Sequence, residues 1–422
     1  MNIPTVNKGL QTPLLRFPEF FSNWITFKLN ELGDSSRGAI KAGPFGSALK
    51  KEFYVTSGYK IYGQEQVISS NPYKGDYYIN EDKFNSLKSC AVIPGDILVS
   101  LVGTIGKVLV IPEDAEAGII NPRLLRISLD SKKVDPKFIK YFLGRPKTVY
   151  KLESWSQGGT MGVLNASLFK MLPISLPEMK EQQKIAELLS TVDKKIALLK
   201  EKHALLEQYK KGVMLKLFKQ EIRFKDDSGN EFPDWQGLPL SELSLKVSSK
   251  NKDESVTQVL TNSARDGIVN QGDYFNKDIA NQGNLGGYTI VEKDDFVYNP
   301  RISELAPVGP IKRNHKGQGV MSPLYTIFRF KDKSLLDFVE HYFNTTMWHR
   351  YMHSIANFGA RHDRMNITTS DFYALSIPIP CQKEREKIVA FTEALNSKCD
   401  AVKGQLELTQ TFKKGLLQQM FV

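Results

Sequence analysis

Residues 171–218 and 374–421 align without a gap when each residue is set beside the one 203 positions later. Under that shift Pro177 meets Pro380 and Lys184-Ile185 meets Lys387-Ile388. "YKKGVMLKLF" (Tyr209–Phe218) meets "FKKGLLQQMF" (Phe412–Phe421). About a dozen of these positions are identical, too many and too ordered for chance, and a fixed period of this kind outranks every other sequence signal. The echo continues upstream with small changes of shift, as loop insertions produce. Tyr141-Phe142 matches Tyr342-Phe343, and "GIINP" (Gly118–Pro122) matches "GVMSP" (Gly319–Pro323). Trp24, Leu29, Glu31 and Leu32 return with the same spacing as Trp235, Leu240, Glu242 and Leu243. The chain is therefore two copies of one unit, roughly 15–218 and 222–421. Its 422 residues also exceed the ~250–300 at which a single core stops growing.

Each copy has two parts. The first is rich in short β-branched and aromatic runs broken by Gly, Pro and Asn. "AVIPGDILVSLVGTIGKVLVIP" (Ala91–Pro112) reads as strands with tight glycine turns. Helical runs such as "PKFIKYFLGRPKTVYKLES" (broken at Pro146) argue for an α+β or α/β domain, and for α+β as the class of the whole chain. The second part steps by three and four. Its seam is Ile185, Leu189, Val192, Ile196, Leu199, Leu206, Val213 and Leu217 in copy one. In copy two it is Ile388, Leu395, Cys399, Val402, Leu406, Leu416 and Met420. An average step near 3.5 residues is a coiled-coil seam, and at ~1.5 Å per residue such a helix is a rod of about 55 Å. Pro177 and Pro380 precede the helices, as expected where a helix begins. The nearest partner for one seam is its own copy, and an antiparallel pair relates the two domains by a pseudo-twofold. His203, Lys210, Thr392, Thr409 and Lys413 weaken the seam, which leaves surface for other helices. The repeated Lys-Lys-Gly reads as a solvated helix end with lysines near the C-terminal dipole, and the apolar tail after it as a docking surface. The alternative is a charged helix lying on its own domain. The expected organisation is an arm (1–14), a globular domain (15–176), a central helix (177–221), a second globular domain (222–379) and a C-terminal helix (380–422).

The apolar content of 41% suffices for such cores, and the net charge is +11. That excess suits a polyanion partner, although a basic soluble protein shows it too. Cys90, Cys381 and Cys399 are odd in number and far apart, which fits neither a disulfide framework nor a zinc ribbon but a reducing cytoplasm. No signal-peptide core and no apolar run of membrane-spanning length occurs, so a cytoplasmic location without membrane contact is expected.

Catalytic motifs are missing. Amino-methylation of DNA needs Asn-Pro-Pro-aromatic; "NPYK" at Asn71 lacks the second proline, and "NPRL" (Asn121) and "NPRI" (Asn299) lack both features. "GTIGKV" (Gly103–Val108) has the wrong spacing for a phosphate loop and Val where a hydroxyl must meet Mg²⁺; it reads as a hairpin turn. His349 and His353 share a helix face, but no third ligand is evident. The pattern is that of a reader without a metal or a catalytic residue.

Recognition chemistry is present. "IKAGPFGSALKKEF" sets Lys41, Lys50 and Lys51 around Gly43, Gly46 and Ser47, where backbone N–H groups can approach a phosphate; a plain solvated turn has the same composition. Tyr59, Lys60, Tyr62, Gln64, Gln66 and Lys74 interleave aromatic, cationic and amide groups, as do Gln157 and Thr160 further on. Copy two offers Asn262, Arg265, Gln271, Lys277, Arg301, Arg361, His362, Arg364 and Asn366. Arg pairs with guanine, and Asn or Gln with adenine, in the major groove. These loops share almost nothing between copies, as expected if each copy reads a different DNA sequence on one scaffold.

"LRFPEF", "GPFGSALK", "GDILVSLVGTIGKV" and "EQQKIAELLSTVDKKI", within two variable domains each followed by a similar helix, resemble the specificity subunit of type I restriction–modification systems over nearly the whole chain. The resemblance weakens at residues 294–311. It implies two target recognition domains, each reading one half of a bipartite site in double-stranded DNA, and helices that pair as an antiparallel coiled coil and space the half-sites. It implies two docked modification subunits carrying S-adenosylmethionine and methylating adenine, and two restriction subunits using ATP and Mg. The chain itself is then non-catalytic and binds no cofactor. The alternative is a stand-alone DNA-binding regulator.

Overall fold

The computed structural model describes residues 12–104, 106–156, 166–274, 285–357 and 363–422. It divides into two compact units: unit 1 holds residues 1–200 and 404–422, and unit 2 holds 201–403.

In unit 1 an antiparallel four-stranded sheet runs in the spatial order Ile40–Ala42, Leu124–Ile127, Ile97–Ser100, Val108–Val110. Both central strands are buried along their whole length, which is why they read as continuous apolar runs without alternation. A two-stranded ladder joins Ile25–Lys28 to Pro173–Leu176. A five-stranded sheet orders Tyr54–Val55, Tyr78–Ile79, Tyr59–Tyr62, Gly118–Ile120 and Ala91–Val92. Gly118 is required at its place, because a Cβ there would fall 2.0 Å from the Lys60 carbonyl oxygen on the neighbouring strand.

Unit 2 repeats the frame. Ser244–Val247, Thr326–Phe330, Phe296–Tyr298 and Ile311–Arg313 form an antiparallel sheet in the equivalent order, and Gln236–Pro239 pairs with Ser376–Ile379. The stretch 294–311, where the repeat is hard to follow in sequence, keeps both strands and lengthens only the loop between them. The turn entering the sheet is the same in each unit. Gly95 and Asp294 take φ values of +85° and +74°, and the next residue, Asp96 or Asp295, is buried. Each of these carboxylates accepts a backbone N–H three residues upstream and is held by an arginine, Arg37 or Arg329. The five-stranded sheet is only partly kept among the described residues of unit 2. Thr289–Val291 pairs antiparallel with Gly319–Met321 as Ala91–Val92 does with Gly118–Ile120, and a parallel bridge joins Val259 to Val320. A hairpin (Leu260–Ser263 with Gly267–Asn270) stands in place of the remaining strands.

The two long helices run Met179–Phe218 and Gln382–Gln419. In unit 1, Asp193 of the first binds Lys413 of the second at 2.6 Å and accepts from the Tyr141 hydroxyl at 2.9 Å. In unit 2 the Thr392 hydroxyl lies 3.2 Å from Met214 Sδ, and Glu207 meets Cys399. Numbers rise on one helix as they fall on the other, so this pairing is antiparallel. Of the expected seam, Ile196, Leu206, Val213 and Leu406 are half-buried and every other residue is buried. The weak positions Thr392 and Thr409 are buried as well. Their hydroxyls donate to the carbonyls of Ile388 and Gln405 one turn back, which removes the cost of an unmet donor.

The helix ends correct one expectation. Leu217, Leu416 and Met420 offer no docking surface, because they lie inside the fold together with Phe218 and Phe421. Phe421 packs on Phe138 (5.0 Å between centroids) and Phe142 (6.4 Å) in the core of unit 1. Phe218 packs on Phe338 (5.3 Å), Tyr342 (5.6 Å) and Trp235 (6.2 Å) in the core of unit 2. Burying such a side chain contributes about 1.5–3 kcal/mol, more than the solvated end suggested by two adjacent lysines could forgo.

Each long helix starts under an arginine clamp. Glu181 and Glu384 are fully buried. Arg16 donates to both oxygens of Glu181 at 2.8 and 2.7 Å, and Arg223 to both of Glu384 at 3.1 and 2.8 Å. The arginines also bind carbonyls of their own arms, at Ser22, and at Phe232 and Pro233.

Candidate nucleic-acid interface

On unit 1 the exposed candidates gather around the loop that follows strand Ile40–Ala42. Lys41 is half-buried, whereas Ser47, Lys50 and Lys51 are exposed; Gly46–Ala48 makes one 3-10 turn. Gly43 is buried, and a Cβ on it would stand 1.9 Å from the Asn121 carbonyl oxygen. This glycine therefore serves the contact with the Asn121-Pro122 turn, and its expected role against a phosphate is corrected. That turn carries Arg123, exposed and overlooked in the sequence because its neighbours Asn121 and Pro122 were read only against a catalytic motif.

Three further expectations fail, two because Tyr59–Tyr62 is a central strand and one at the start of the helix after it. Lys60 is 1% exposed and binds Glu116 (2.6 Å) and the Tyr73 carbonyl (3.2 Å). Tyr62 is fully buried and donates to the Glu116 carbonyl at 2.6 Å; burial, with Glu116 adding to it, pushes its phenol pKa up. Gln66 is also buried. It accepts from the Gly63 N–H and donates to the Lys74 carbonyl, closing a helix start. None of the three presents a group to DNA. Tyr59 is half-buried and stacks on Phe84 at 3.9 Å. Gln64 donates to the Val102 carbonyl, and Lys74 stays exposed. Gln157 and Thr160 lie outside the described residues.

On unit 2 Asn262 is corrected for the same reason. It is 2% exposed, and its amide donates to the carbonyls of Val297 (2.8 Å) and Pro310 (3.2 Å). Arg265 is exposed at the tip of the hairpin, whose turn is held by Ser263 Oγ accepting from two backbone N–H groups. Gln271 is half-buried. Arg301 and Arg364 face each other across an isolated antiparallel bridge, and Asn366 is bridged to Asn357. Arg301 and Asn366 are exposed and Arg364 half-buried; Arg364 Nε makes no hydrogen bond but lies 3.6 Å from an Asp363 carboxylate oxygen. The structure thus brings Arg301, Arg364 and Asn366 together from two distant stretches. Lys277, Arg361 and His362 lie outside the described residues.

Among the described residues no group of three or more His, Cys, Asp or Glu could hold a metal ion, and no helix is long and apolar enough to cross a membrane. Gly103 and Gly106 take φ values of +70° and +75° in the turn between strands Ile97–Ser100 and Val108–Val110, so "GTIGKV" is the hairpin turn its composition suggests.

Residues 22–208 match the type I restriction modification DNA specificity domain. A Methanocaldococcus jannaschii protein described as the MjaX type I restriction enzyme specificity subunit is 26% identical over 362 residues, covering 81% of this chain and 80% of that protein. Residues 22–208 thus carry the domain of type I restriction–modification specificity subunits, and the chain is similar to such a subunit over most of its length. Such subunits recognise DNA and are not catalytic. The MjaVIII specificity subunit of the same organism is 26% identical over 42% of this chain and 43% of its own. Among solved structures, the type I S subunit from M. genitalium superposes with a TM-score of 0.52 at 18% identity, covering 98% of this chain and 99% of that one. The HsdS subunit from Thermoanaerobacter tengcongensis gives 0.51 at 14% identity, covering 96% and 98%. These two likenesses show that the fold is shared.

Proposed function

We propose that this specificity subunit reads a bipartite target in double-stranded DNA, one half-site per unit, and holds two modification subunits that bind S-adenosylmethionine and methylate adenine. Two restriction subunits, using ATP and Mg, complete the complex. The observation that carries the reading is the division of labour within the repeat. The four-stranded sheet, the buried Asp96 and Asp295 turns and the Arg–Glu clamps recur in both units. The cationic loops around Arg123 and Lys50, and around Arg301 and Arg364, share no residues. A common frame with unlike polar loops suits two readers of unlike sequences, with phosphate contacts supplying affinity and base contacts specificity.

Two equivalent partners need two equivalent seats, and the long helices offer them. Leu205 and Tyr209 are 58% and 55% exposed, and their repeat equivalents Leu408 and Phe412 are 73% and 55% exposed. Exposed aromatic and aliphatic pairs of this kind anchor protein interfaces.

The test is co-expression with candidate modification subunits, followed by sequencing of methylated adenines. Exchanging residues 15–176 for another such domain changes one half of the methylated site and leaves the other. If both halves changed, or neither did, one-reader-per-unit is wrong; methylation by the purified chain alone overturns the scaffold role.

A further inference from the structure

Among the exposed apolar side chains of each unit is one at the tip of a loop that hydrogen bonds hold in place and cations flank. In unit 1 it is Phe45, 84% exposed. The Gly43 N–H donates to the Leu124 carbonyl at 3.0 Å, and the Ala48 N–H to the Phe45 carbonyl at 3.1 Å. Pro44, between them, is buried, and Gly43 sits hard against Asn121. Cations flank it: Lys50, which Glu52 pairs at 3.6 Å, and Lys51 follow the tip, and Arg123 follows the turn beneath it.

In unit 2 it is Leu305, 63% exposed. Ser303 and Ala306 exchange backbone hydrogen bonds of 3.0 and 3.1 Å around it, and the base of the loop is fastened by Ile302 N–H to Asp363 O (3.1 Å) and Met365 N–H to Pro300 O (2.9 Å). Arg301 and Arg364 stand at that base. The two loops come from different places in the repeat and share no sequence, yet both set an apolar tip beside cations. A large apolar group held at a fixed tip gains no burial from folding, and the cations beside it mark these two tips among the exposed apolar side chains.

We propose that Phe45 and Leu305 are wedges, each inserted between adjacent base pairs of the half-site that its unit reads. This rests on the DNA-reading function above and names how part of it is done. Phe and Leu are among the side chains that part a base step and kink the duplex, while neighbouring Arg and Lys hold the backbone. Sequence then enters through the ease of opening: pyrimidine–purine steps yield most readily, so each half-site or its border contains one. Glu304, beside Leu305 and exposed, adds an acceptor suited to a cytosine amino group.

The experiment uses the assembled complex with modification subunits and its mapped target, synthesised with 2-aminopurine at successive positions. The expected result is a rise in fluorescence at one step in each half. Phe45→Ala removes the rise in one half only, Leu305→Ala in the other only, and each weakens binding about tenfold with the salt dependence unchanged, since no phosphate contact is lost. Both side chains are on the surface, and a melting curve matching the wild type shows that the variants fold. Away from the methylated adenine, which the modification subunits flip out themselves, absence of any rise on specific binding overturns the wedges, as does a rise that survives both substitutions, or weakened binding with every rise intact. A wild-type complex that binds without sequence preference overturns the DNA-reading function itself, and so is told apart from failure of the wedges alone.

Discussion

Glu384 is the position where one substitution should do most damage to unit 2 without touching its recognition loops. Its carboxylate is fully buried and accepts three hydrogen bonds: two from Arg223 (3.1 and 2.8 Å) and one from the Trp235 indole N–H (2.9 Å). Glu384→Ala leaves a guanidinium and an indole donor without their acceptor. Breaking a buried pair by deleting one partner costs about 3–5 kcal/mol. The Arg223 side chain is 17% exposed and still reaches the Phe232 and Pro233 carbonyls, which places the loss at the lower end, about 3 kcal/mol. For a body of ~200 residues each kcal/mol moves the melting temperature by about 2–4 °C, so Glu384→Ala should melt about 6–12 °C lower, followed by calorimetry and by Trp235 fluorescence. Glu181→Ala in unit 1 removes only the two Arg16 bonds, because Trp24 Nε1 has no partner to lose, and should cost about 1 kcal/mol less, one hydrogen bond's worth. Adding Arg223→Ala to Glu384→Ala should recover part of the loss, because the second change removes the stranded charge. A melting temperature within 1 °C of wild type, or a double variant as unstable as the sum of the single ones, refutes the reasoning.

Burial pushes the pKa of His341 below its ordinary value, with Glu340 opposing, and burial followed by His353 does the same to His349. The unfolded chain then holds the extra protons below pH ~6.5, so unit 2 loses stability as pH falls from there. Denaturant midpoints at pH 7.5 and 5.5 should differ less in His341→Gln than in the wild type. Leu408→Glu with Phe412→Glu alters exposed side chains only; the chain should stay folded and lose one of two modification subunits, read as a mass change in native mass spectrometry. Inserting one helical turn after Ala197 in the first long helix should lengthen the unread spacer of the methylated site, which sequencing of methylated adenines reports directly.

The frame was legible because its signals are periodic and doubled. Leu189, Ile388 and their neighbours recur at helical spacing, and the shift of 203 residues identifies Glu181 with Glu384 as well as Phe218 with Phe421. The recognition surface was less legible because exposure is decided by neighbours far away in sequence. Lys60 and Lys74 look alike in the chain, yet strand Tyr59–Tyr62 lies between two others and buries Lys60, while Lys74 follows a helix and stays in solvent. Gln66 and Asn262 look like base readers but spend their amides on buried carbonyls, a use that polar side chains inside a fold must find. Arg123 gave no sequence signal at all; only the close approach of Gly43 to Asn121 shows that it stands under the Phe45 loop.

The core of unit 1 is completed by Leu416, Met420 and Phe421, which belong in sequence to copy two. A chain ending near residue 221 keeps every globular element of unit 1 but lacks those three side chains, and the uncovered seat forgoes about 1.5–3 kcal/mol for each. It also carries a tail, Val213, Leu217 and Phe218, that matches Leu416, Met420 and Phe421 position for position under the shift of 203. Two such chains can each supply the other's missing end, which makes a symmetric dimer in which Phe218 takes the place of Phe421 against Phe138 and Phe142. The expected outcome is a dimer of residues 1–221 in analytical ultracentrifugation, which Phe218→Ala shifts toward a less stable monomer, since truncating a buried Phe costs about 3–5 kcal/mol at each of two seats. A stable monomer with Phe218 in solvent would show that the helix ends are not interchangeable, and that the duplication of "YKKGVMLKLF" as "FKKGLLQQMF" preserves something other than a shared seat.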